Sequence, residues 1–128
     1  MSKEKETPIF IARIFLSLIF IIGGFGFLIN FSGTVSMVES FGFPFATLLT
    51  IIGIVLKLGG GLMLLLGWKV KEASYALILF TVVATLLAHI NFSDQVQMTQ
   101  FLKNLAIIGG LILIANYGPG RFSIDKKK

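Results

Sequence analysis

The side chains of this chain that could bind a ligand or transfer a proton are polar residues set within or beside long apolar stretches. We group them as a candidate polar cavity, formed by Lys57, Thr81, Thr85, His89, Gln100, Lys103 and Asn104. Residues four apart share one face of a helix, so Thr81, Thr85 and His89 are predicted to face the same way. Gln100 and Asn104 have the same spacing and are candidates for the opposing wall of the cavity.

Lys57 is the most informative of these residues because it lies near the middle of its apolar stretch. In a helix it would lie roughly 16 Å from the start of the stretch, close to the midplane of a bilayer. A charge at that depth costs at least about 2.5 kcal/mol. Three interpretations stay open: a lysine tolerated through local water and Thr81, a cavity that holds an anionic or quinone-like ligand, and a lysine that is neutral in a closed bundle.

Polar residues near the ends of the apolar stretches point to the membrane interface. His89 has two interpretations, an interfacial anchor or a residue that binds a ligand or handles protons in a wetted pocket. Basic and aromatic residues beside apolar stretches are typical of headgroup anchors. On this ground we expect membrane anchoring by Arg13, Trp68, Lys69, Lys71 and Arg121.

The composition excludes several kinds of chemistry. The chain has no cysteine, which excludes a disulfide framework, a thiolate nucleophile and an iron–sulfur cluster held by this chain. One histidine and scattered carboxylates are too few for a metal site. The basic residues form short clusters between apolar stretches, so no surface for nucleic acid is predicted. We expect no independent catalysis and no metal, and any redox chemistry would need an organic cofactor, such as a quinone, or a partner subunit.

The candidate residues depend for their positions on four apolar stretches. The chain is 55% hydrophobic and 13% charged, which is more apolar surface than 128 residues could bury in water. Stretches of roughly 20 apolar residues cross a hydrocarbon core, and they do so as helices because no backbone group can stay unpaired in lipid. We therefore predict one all-α membrane domain over residues 1–128, a bundle of four transmembrane helices over about 9–29, 46–66, 73–92 and 101–117.

The orientation of the bundle follows from its basic residues. Lys and Arg concentrate in the amino terminus, in the connection at 69–71 and in the tail 118–128. With four spans these segments share one side, so both termini and the basic tail are predicted to be cytoplasmic. The connection 30–45 is long for a hairpin, and its apolar residues recur at helical spacing. We predict a short amphipathic helix there, closed by Gly42, with a plain loop as the alternative.

Several motifs of the chain resemble the DoxX family. The segment 101–110, FLKNLAIIGG, resembles that family's last helix, and the tail motif 118–125, GPGRFSID, resembles its carboxy-terminal signature. Further motifs that fit are NFSGT at 30–34, the three glycines at 59–61 and Ala88-His89. The resemblance covers nearly the whole chain. It implies a four-helix, multi-pass protein of the bacterial cytoplasmic membrane.

The resemblance implies little chemistry, and it limits what can be transferred to this chain. Some related proteins are small subunits of membrane oxidoreductases that pass electrons from sulphur compounds to quinone. The residues at recognisable positions of the pattern are His89, Lys103, Asn104 and Arg121. The family pattern is expected to have a lysine where this chain has Phe27 and an acid where it has Lys57. A site built on that pair of opposite charges cannot be carried over.

Our leading hypothesis is an accessory or quinone-associated subunit of a membrane redox complex, with lipid and membrane or soluble redox subunits as partners. The first alternative is a small-molecule carrier or channel-like protein whose path is lined by Lys57, Thr81 and His89. The second alternative is a structural membrane organiser without a ligand. Four small helices leave much lipid-facing surface, so association into a homo-oligomer is a further alternative that stays open.

Overall fold

The computed structural model describes the backbone of residues 3–88 and 93–125, with side chains described over 6–87 and 93–125. These residues form five α-helices. The helices are α1 (Lys3–Ile29), α2 (Phe31–Ser40), α3 (Ala46–Leu66), α4 (Val70–Ala88) and α5 (Gln95–Tyr117).

Four of these helices are long and apolar enough to cross a membrane. The candidate spans are Glu6–Ile29, Ala46–Leu66, Val70–Leu87 and Gln95–Tyr117. At about 1.5 Å per residue, each reaches across most or all of a hydrocarbon core of about 30 Å. The predicted fold class, an all-α membrane protein with four transmembrane helices, is confirmed.

The four long helices form a closed ring. Helix α1 packs along α3, α3 along α4, α4 along α5, and α5 completes the ring against α1. Glycines set the distances between helices: a Cβ built on Gly61 would lie 2.9 Å from Cγ1 of Ile21 in α1, and one on Gly60 would lie 2.9 Å from Leu77 in α4. Such close approach replaces the hydrophobic effect as the source of helix association in lipid.

The helix predicted in the long connection is present as α2. Its end is marked by two backbone hydrogen bonds, from Phe41 N to Val38 O (3.1 Å) and from Gly42 N to Glu39 O (2.9 Å). Gly42 has φ +85, a conformation that glycine adopts without steric cost, and it turns the chain toward α3. We call the end of the bundle that carries this helix the α2 end.

Three helices begin earlier than the apolar pattern predicts, and α1 is the first of them, since it begins at Lys3 instead of about residue 9. Helix α4 begins at Val70 instead of 73, and α5 begins at Gln95 instead of 101. Asp94 caps α5 through a hydrogen bond from Val96 N to Asp94 Oδ1 (2.9 Å), so the polar residues that follow continue the helix. Hydropathy marks only the part of a helix that lies in lipid. The predicted end of the third span at residue 92 lies outside the described residues.

The packed core lies in the half of the bundle away from α2. Leu64, Leu77 and Leu111 have no exposed surface, and smaller contributions come from Phe20, Val70, Ala73 and Ile114. We call this end, where residues 118–125 also lie, the tail end. The tail end is therefore solid, whereas the α2 end contains a cavity.

Candidate ligand pocket and tail lock

The α2 half of the bundle encloses a cavity of about 650 Å³, which we call the lysine pocket. This volume lies in the range of small-molecule sites. Its charged members are Lys57 and Lys103, and its other polar members are Thr34, Thr50, Thr81 and Asn104. The remaining walls are apolar and include the rings of Phe20, Phe27, Phe41, Phe43 and Phe80.

The Lys57 side chain lies against aromatic rings. Its Nζ is 4.3 Å from the centre of the Phe27 ring and 5.6 Å from that of Phe80. A Cβ built on Gly23 would lie 2.6 Å from Nζ, so the missing side chain of Gly23 provides the space that the ammonium occupies. A cation over an aromatic face gains about 0.5–2 kcal/mol. That gain offsets only part of the cost of at least about 2.5 kcal/mol for a charge near mid-bilayer.

The two positions at which the chain differs from what the resemblance implies contact each other. The resemblance implies a lysine at the position of Phe27 and an acid at the position of Lys57. Here the Lys57 ammonium lies over the Phe27 ring. A cation–π contact therefore occupies the place where the resemblance implies a pair of opposite charges.

Lys103 adds a second cation to the same pocket. Because α5 begins at Gln95, Lys103 lies roughly 12 Å into that helix rather than at its start. The two ammonium groups repel each other electrostatically. No carboxylate is among the lining residues, and neither lysine has a carboxylate within salt-bridge distance in the described part of the chain. The positive charge of the pocket is thus uncompensated by the side chains around it.

A hydrogen-bond ladder joins α4 to α5 beside the pocket. Asn104 Nδ2 donates to Thr85 Oγ1 (2.8 Å), and Thr85 Oγ1 donates to the carbonyl of Thr81 (2.6 Å). Thr81 Oγ1 donates in turn to the carbonyl of Leu77 (2.7 Å). The threonine hydroxyl protons therefore donate to helix carbonyls, and the donors left for a ligand are the ammonium groups and the second N–H of the Asn104 amide.

The structure brings together part of the candidate polar cavity. Lys57, Thr81, Lys103 and Asn104 line the pocket, and Thr85 lies next to it through its bond with Asn104. Gln100 is half-buried but is not among the lining residues. His89 lies outside the described residues. The sequence analysis did not predict the roles of Gly23 and Phe80, because nothing in their local pattern shows which side chain of another helix they face.

Arg13 departs from its predicted anchoring role. Its side chain has no exposed surface, and its Nη2 donates to the carbonyls of Arg121 (2.9 Å) and Phe122 (2.8 Å). Its guanidinium also lies 5.3 Å from the centre of the Phe10 ring. Arg13 cannot reach headgroups because the chain at 118–125 covers it. It holds that segment in place instead.

The segment 118–125, which we call the tail segment, is folded onto the tail end of the bundle. Asp125 accepts hydrogen bonds from Lys69 N (2.7 Å) and Val70 N (2.9 Å), which are otherwise unpaired donors at the start of α4. Backbone bonds from Ile124 N to Leu66 O (3.1 Å) and from Asp125 N to Gly67 O (2.8 Å) continue the contact. The described part of the predicted cytoplasmic tail is thus a structural cap.

The remaining predicted anchors lie around this cap. Arg121 Nε is 3.6 Å from Glu6 Oε2, so Arg121 pairs with the start of α1. Trp68 is half-exposed, and Lys69 Nζ lies 5.0 Å from the centre of its ring. Lys71 is exposed. The positions of Trp68, Lys69 and Lys71 suit the anchoring that the sequence predicts, which stays a prediction.

The fold and the pocket define a class: a small multi-pass helical membrane protein with a ligand-sized cavity in one half of its bundle. Comparison with known families places the chain within that class. Residues 9–90 match the model of the DoxX family, and the chain belongs to this family. Residues 91–128 match the model of the SURF4 family.

Curated relatives resemble the chain over nearly its full length. It is 36% identical over 126 residues to inner membrane protein YqjF of Escherichia coli, covering 98% of this chain and 95% of that protein. It is 34% identical over 129 residues to inner membrane protein YphA of the same organism, covering 96% and 91%. The family and the four spans make this a multi-pass protein of the bacterial inner membrane.

A more distant relative is eukaryotic. The Surfeit locus protein 4 homolog of Schizosaccharomyces pombe is 33% identical over 73 residues, which cover 52% of this chain and 24% of that protein. No solved structure matches the chain.

Proposed function

We propose that this protein is an accessory subunit of a membrane redox complex and that it holds a quinone in the lysine pocket. The observation that carries the proposal is a ligand-sized cavity of about 650 Å³ with aromatic and aliphatic walls and two ammonium donors. Pockets of this kind, largely apolar with a few polar groups that orient the ligand, are typical small-molecule sites.

The chemistry of the lining residues fits a quinone. The carbonyl oxygens of a quinone accept hydrogen bonds, and Lys57 and Lys103 offer donors for them. The rings of Phe27 and Phe80 lie beside Lys57 and suit a flat head group. When bound, a quinone would supply the electron-carrying chemistry, and the residues of this chain would bind and orient it. The chain has no cysteine, so the proposal assigns the source of electrons to a partner subunit.

Isolation of the protein from its native membranes tests this proposal. We expect a quinone and dehydrogenase subunits to copurify with the wild-type protein in a mild detergent. Ala84→Leu narrows the pocket and should lower the bound quinone per protein several-fold. Ala12→Leu is the matched control because Ala12 is exposed and does not line the pocket. A wild-type protein that carries neither quinone nor partner would overturn the proposal.

The carrier or channel alternative has less support from the geometry. A path through the bundle would have to pass Leu64, Leu77 and Leu111, which are fully buried, and the tail segment beyond them. Conduction would need both the buried leucines and the tail segment to move out of the path. The pocket supports a ligand-binding protein better than a carrier or channel. It also supports a ligand-binding protein better than a structural organiser without a ligand.

A further inference from the structure

We propose that the ligand of the lysine pocket carries an anionic oxygen head group, a carboxylate, a phosphate or an ionised hydroxyquinone, joined to an apolar chain. The inference rests on the proposed function in taking the lysine pocket as a ligand site. It goes further in assigning the charge of the ligand. Its basis is the juxtaposition of Lys57 and Lys103 in one apolar pocket that no carboxylate lines.

The first step is the charge of the pocket. Lys57 and Lys103 are its basic lining residues, and the proposal takes both as protonated. The described residues bring no carboxylate within salt-bridge distance of either ammonium. Charges interact far more strongly in an apolar pocket than in water, so two like charges there favour a ligand that neutralises them. A neutral ligand leaves their mutual repulsion in place.

The second step is the position of the Lys57 ammonium. It occupies space that Gly23 leaves free and lies 4.3 Å from the centre of the Phe27 ring. An aromatic face is a weak substitute for a counter-charge, because its quadrupole offsets only part of the cost of desolvation. The lysine side chain is flexible, so the ammonium can leave the ring for an oxyanion in the same pocket. The rings then remain as an apolar wall.

The third step concerns the other polar groups of the pocket. Thr50 and Thr81 donate their hydroxyl protons to carbonyls of their own helices, and Thr34 donates to the carbonyl of Asn30, which precedes α2. One N–H of the Asn104 amide donates to Thr85. The donors left over are the second N–H of that amide and the two ammonium groups, and the ammonium groups offer several N–H bonds and no acceptor. Charge-assisted bonds to an oxyanion use such donors best.

The fourth step accounts for the apolar part of the ligand. Leu79 and Val83 of α4 and Ile52 of α3 line the pocket, and their side chains are also partly exposed. The proposal takes this side, between the two helices, as the route from the pocket to the bilayer. A ligand chain can extend along this route into lipid while its head group stays beside the lysines. The molecule that fits is an amphiphile that enters from the membrane.

Matched pairs of ligands test the charge of the head group. The full-length protein in nanodiscs of zwitterionic lipid is titrated with hexadecanoate and hexadecanol, and with a 3-alkyl-2-hydroxy-1,4-naphthoquinone and its 2-methyl counterpart. The hydroxyquinone is ionised at neutral pH and the methyl compound is not. We expect the anionic member of a pair to bind at least about tenfold more tightly by calorimetry.

Variants assign the preference to the pocket. Lys57→Met should abolish the preference for the anionic member, while Lys57→Arg should keep it because the charge remains. Lys71→Met is the matched control, since Lys71 is exposed and lies outside the pocket. Thermal unfolding of each variant verifies that it is folded, and Lys103→Met provides a second test if Lys57→Met is unstable.

The outcomes separate this inference from the proposed function. Equal affinity for both members of each pair overturns the inference and leaves quinone binding intact. Binding of hexadecanoate without any quinone supports the inference and contradicts the quinone proposal. A preference that survives in the double variant Lys57→Met/Lys103→Met overturns the assignment to this pocket.

Discussion

Two cations inside apolar spans, Arg13 and Lys57, are accommodated in different ways. Arg13 is fully buried, and backbone carbonyls of the tail segment accept the hydrogen bonds of its Nη2, while its Nε and Nη1 have no hydrogen-bond partner among the described residues. Lys57 lines a cavity, and its ammonium lies over the Phe27 ring. Hydrogen bonds from a buried cation to a distant segment hold a fold together, so the role of Arg13 is structural. Ligand binding by Lys57 stays a proposal.

Asp125 provides the test of the tail segment at the residue scale. Its carboxylate accepts two N–H groups at the start of α4, so Asp125→Ala should lower the free energy of unfolding by about 1–2 kcal/mol. The single tryptophan, Trp68, stands beside this contact and reports unfolding by its fluorescence in detergent. Glu39→Ala removes an exposed carboxylate on α2 and serves as the control. Equal stability of Asp125→Ala and wild type would contradict a capping role.

The sequence predicts that Lys57 lies in the middle of an apolar helix, but it does not predict the hydrogen-bond partners of Arg13. The position of Lys57 within an apolar stretch already requires water, an acceptor, a bound anion or the loss of its proton. Arg13 lies near the end of its span, where a long side chain normally reaches the headgroups. Its actual partners are carbonyls more than 100 residues away in the sequence. No local periodicity shows that the tail segment folds back over α1.

At the scale of the helices, three consecutive glycines in α3 serve different neighbours. Gly60 faces Leu77 of α4, and Gly61 faces Phe20 and Ile21 of α1. Gly59 has nothing within 4 Å of an added Cβ. Three consecutive glycines indicate that other helices pack closely against α3. The sequence of α3 does not show which helix lies on each side, so it cannot assign a neighbour to each glycine.

These glycines give a prediction with an internal control. Gly61→Val should destabilise the bundle by about 1–3 kcal/mol, because the new side chain meets the backbone N of Ile21 at 3.2 Å and α1 must move. Gly59→Val should have a much smaller effect because its position is open. Thermal unfolding in one detergent compares the two variants. Equal losses would contradict the close approach of α1 and α3.

The whole molecule divides into a packed half and a hollow half. The tail end combines the leucine core, Arg13 and the tail segment into one closed layer. The α2 end contains the lysine pocket, whose lining includes the exposed residues Leu79 and Val83. This asymmetry suits a protein that takes a ligand from one leaflet and holds it there. Sequence hydropathy predicted the four spans, but side-chain packing alone distinguishes the two halves.

The final prediction concerns the orientation of these halves. Glu6 and Arg121 pair at the tail end, so the start of α1 and the tail segment lie at the same end of the bundle. The basic residues around that end should keep it in the cytoplasm, which places α2 outside. The chain has no cysteine, so single introduced cysteines report their own accessibility without interference.

In spheroplasts, a membrane-impermeant maleimide should label Ser40→Cys on α2 and leave Lys71→Cys on α4 unlabelled until the membrane is permeabilised. Labelling of Lys71→Cys alone would reverse the orientation and would turn the lysine pocket toward the cytoplasmic leaflet. A quinone or anionic amphiphile would then have to reach the pocket from that leaflet. The labelling pattern therefore decides from which leaflet a ligand would reach the lysine pocket.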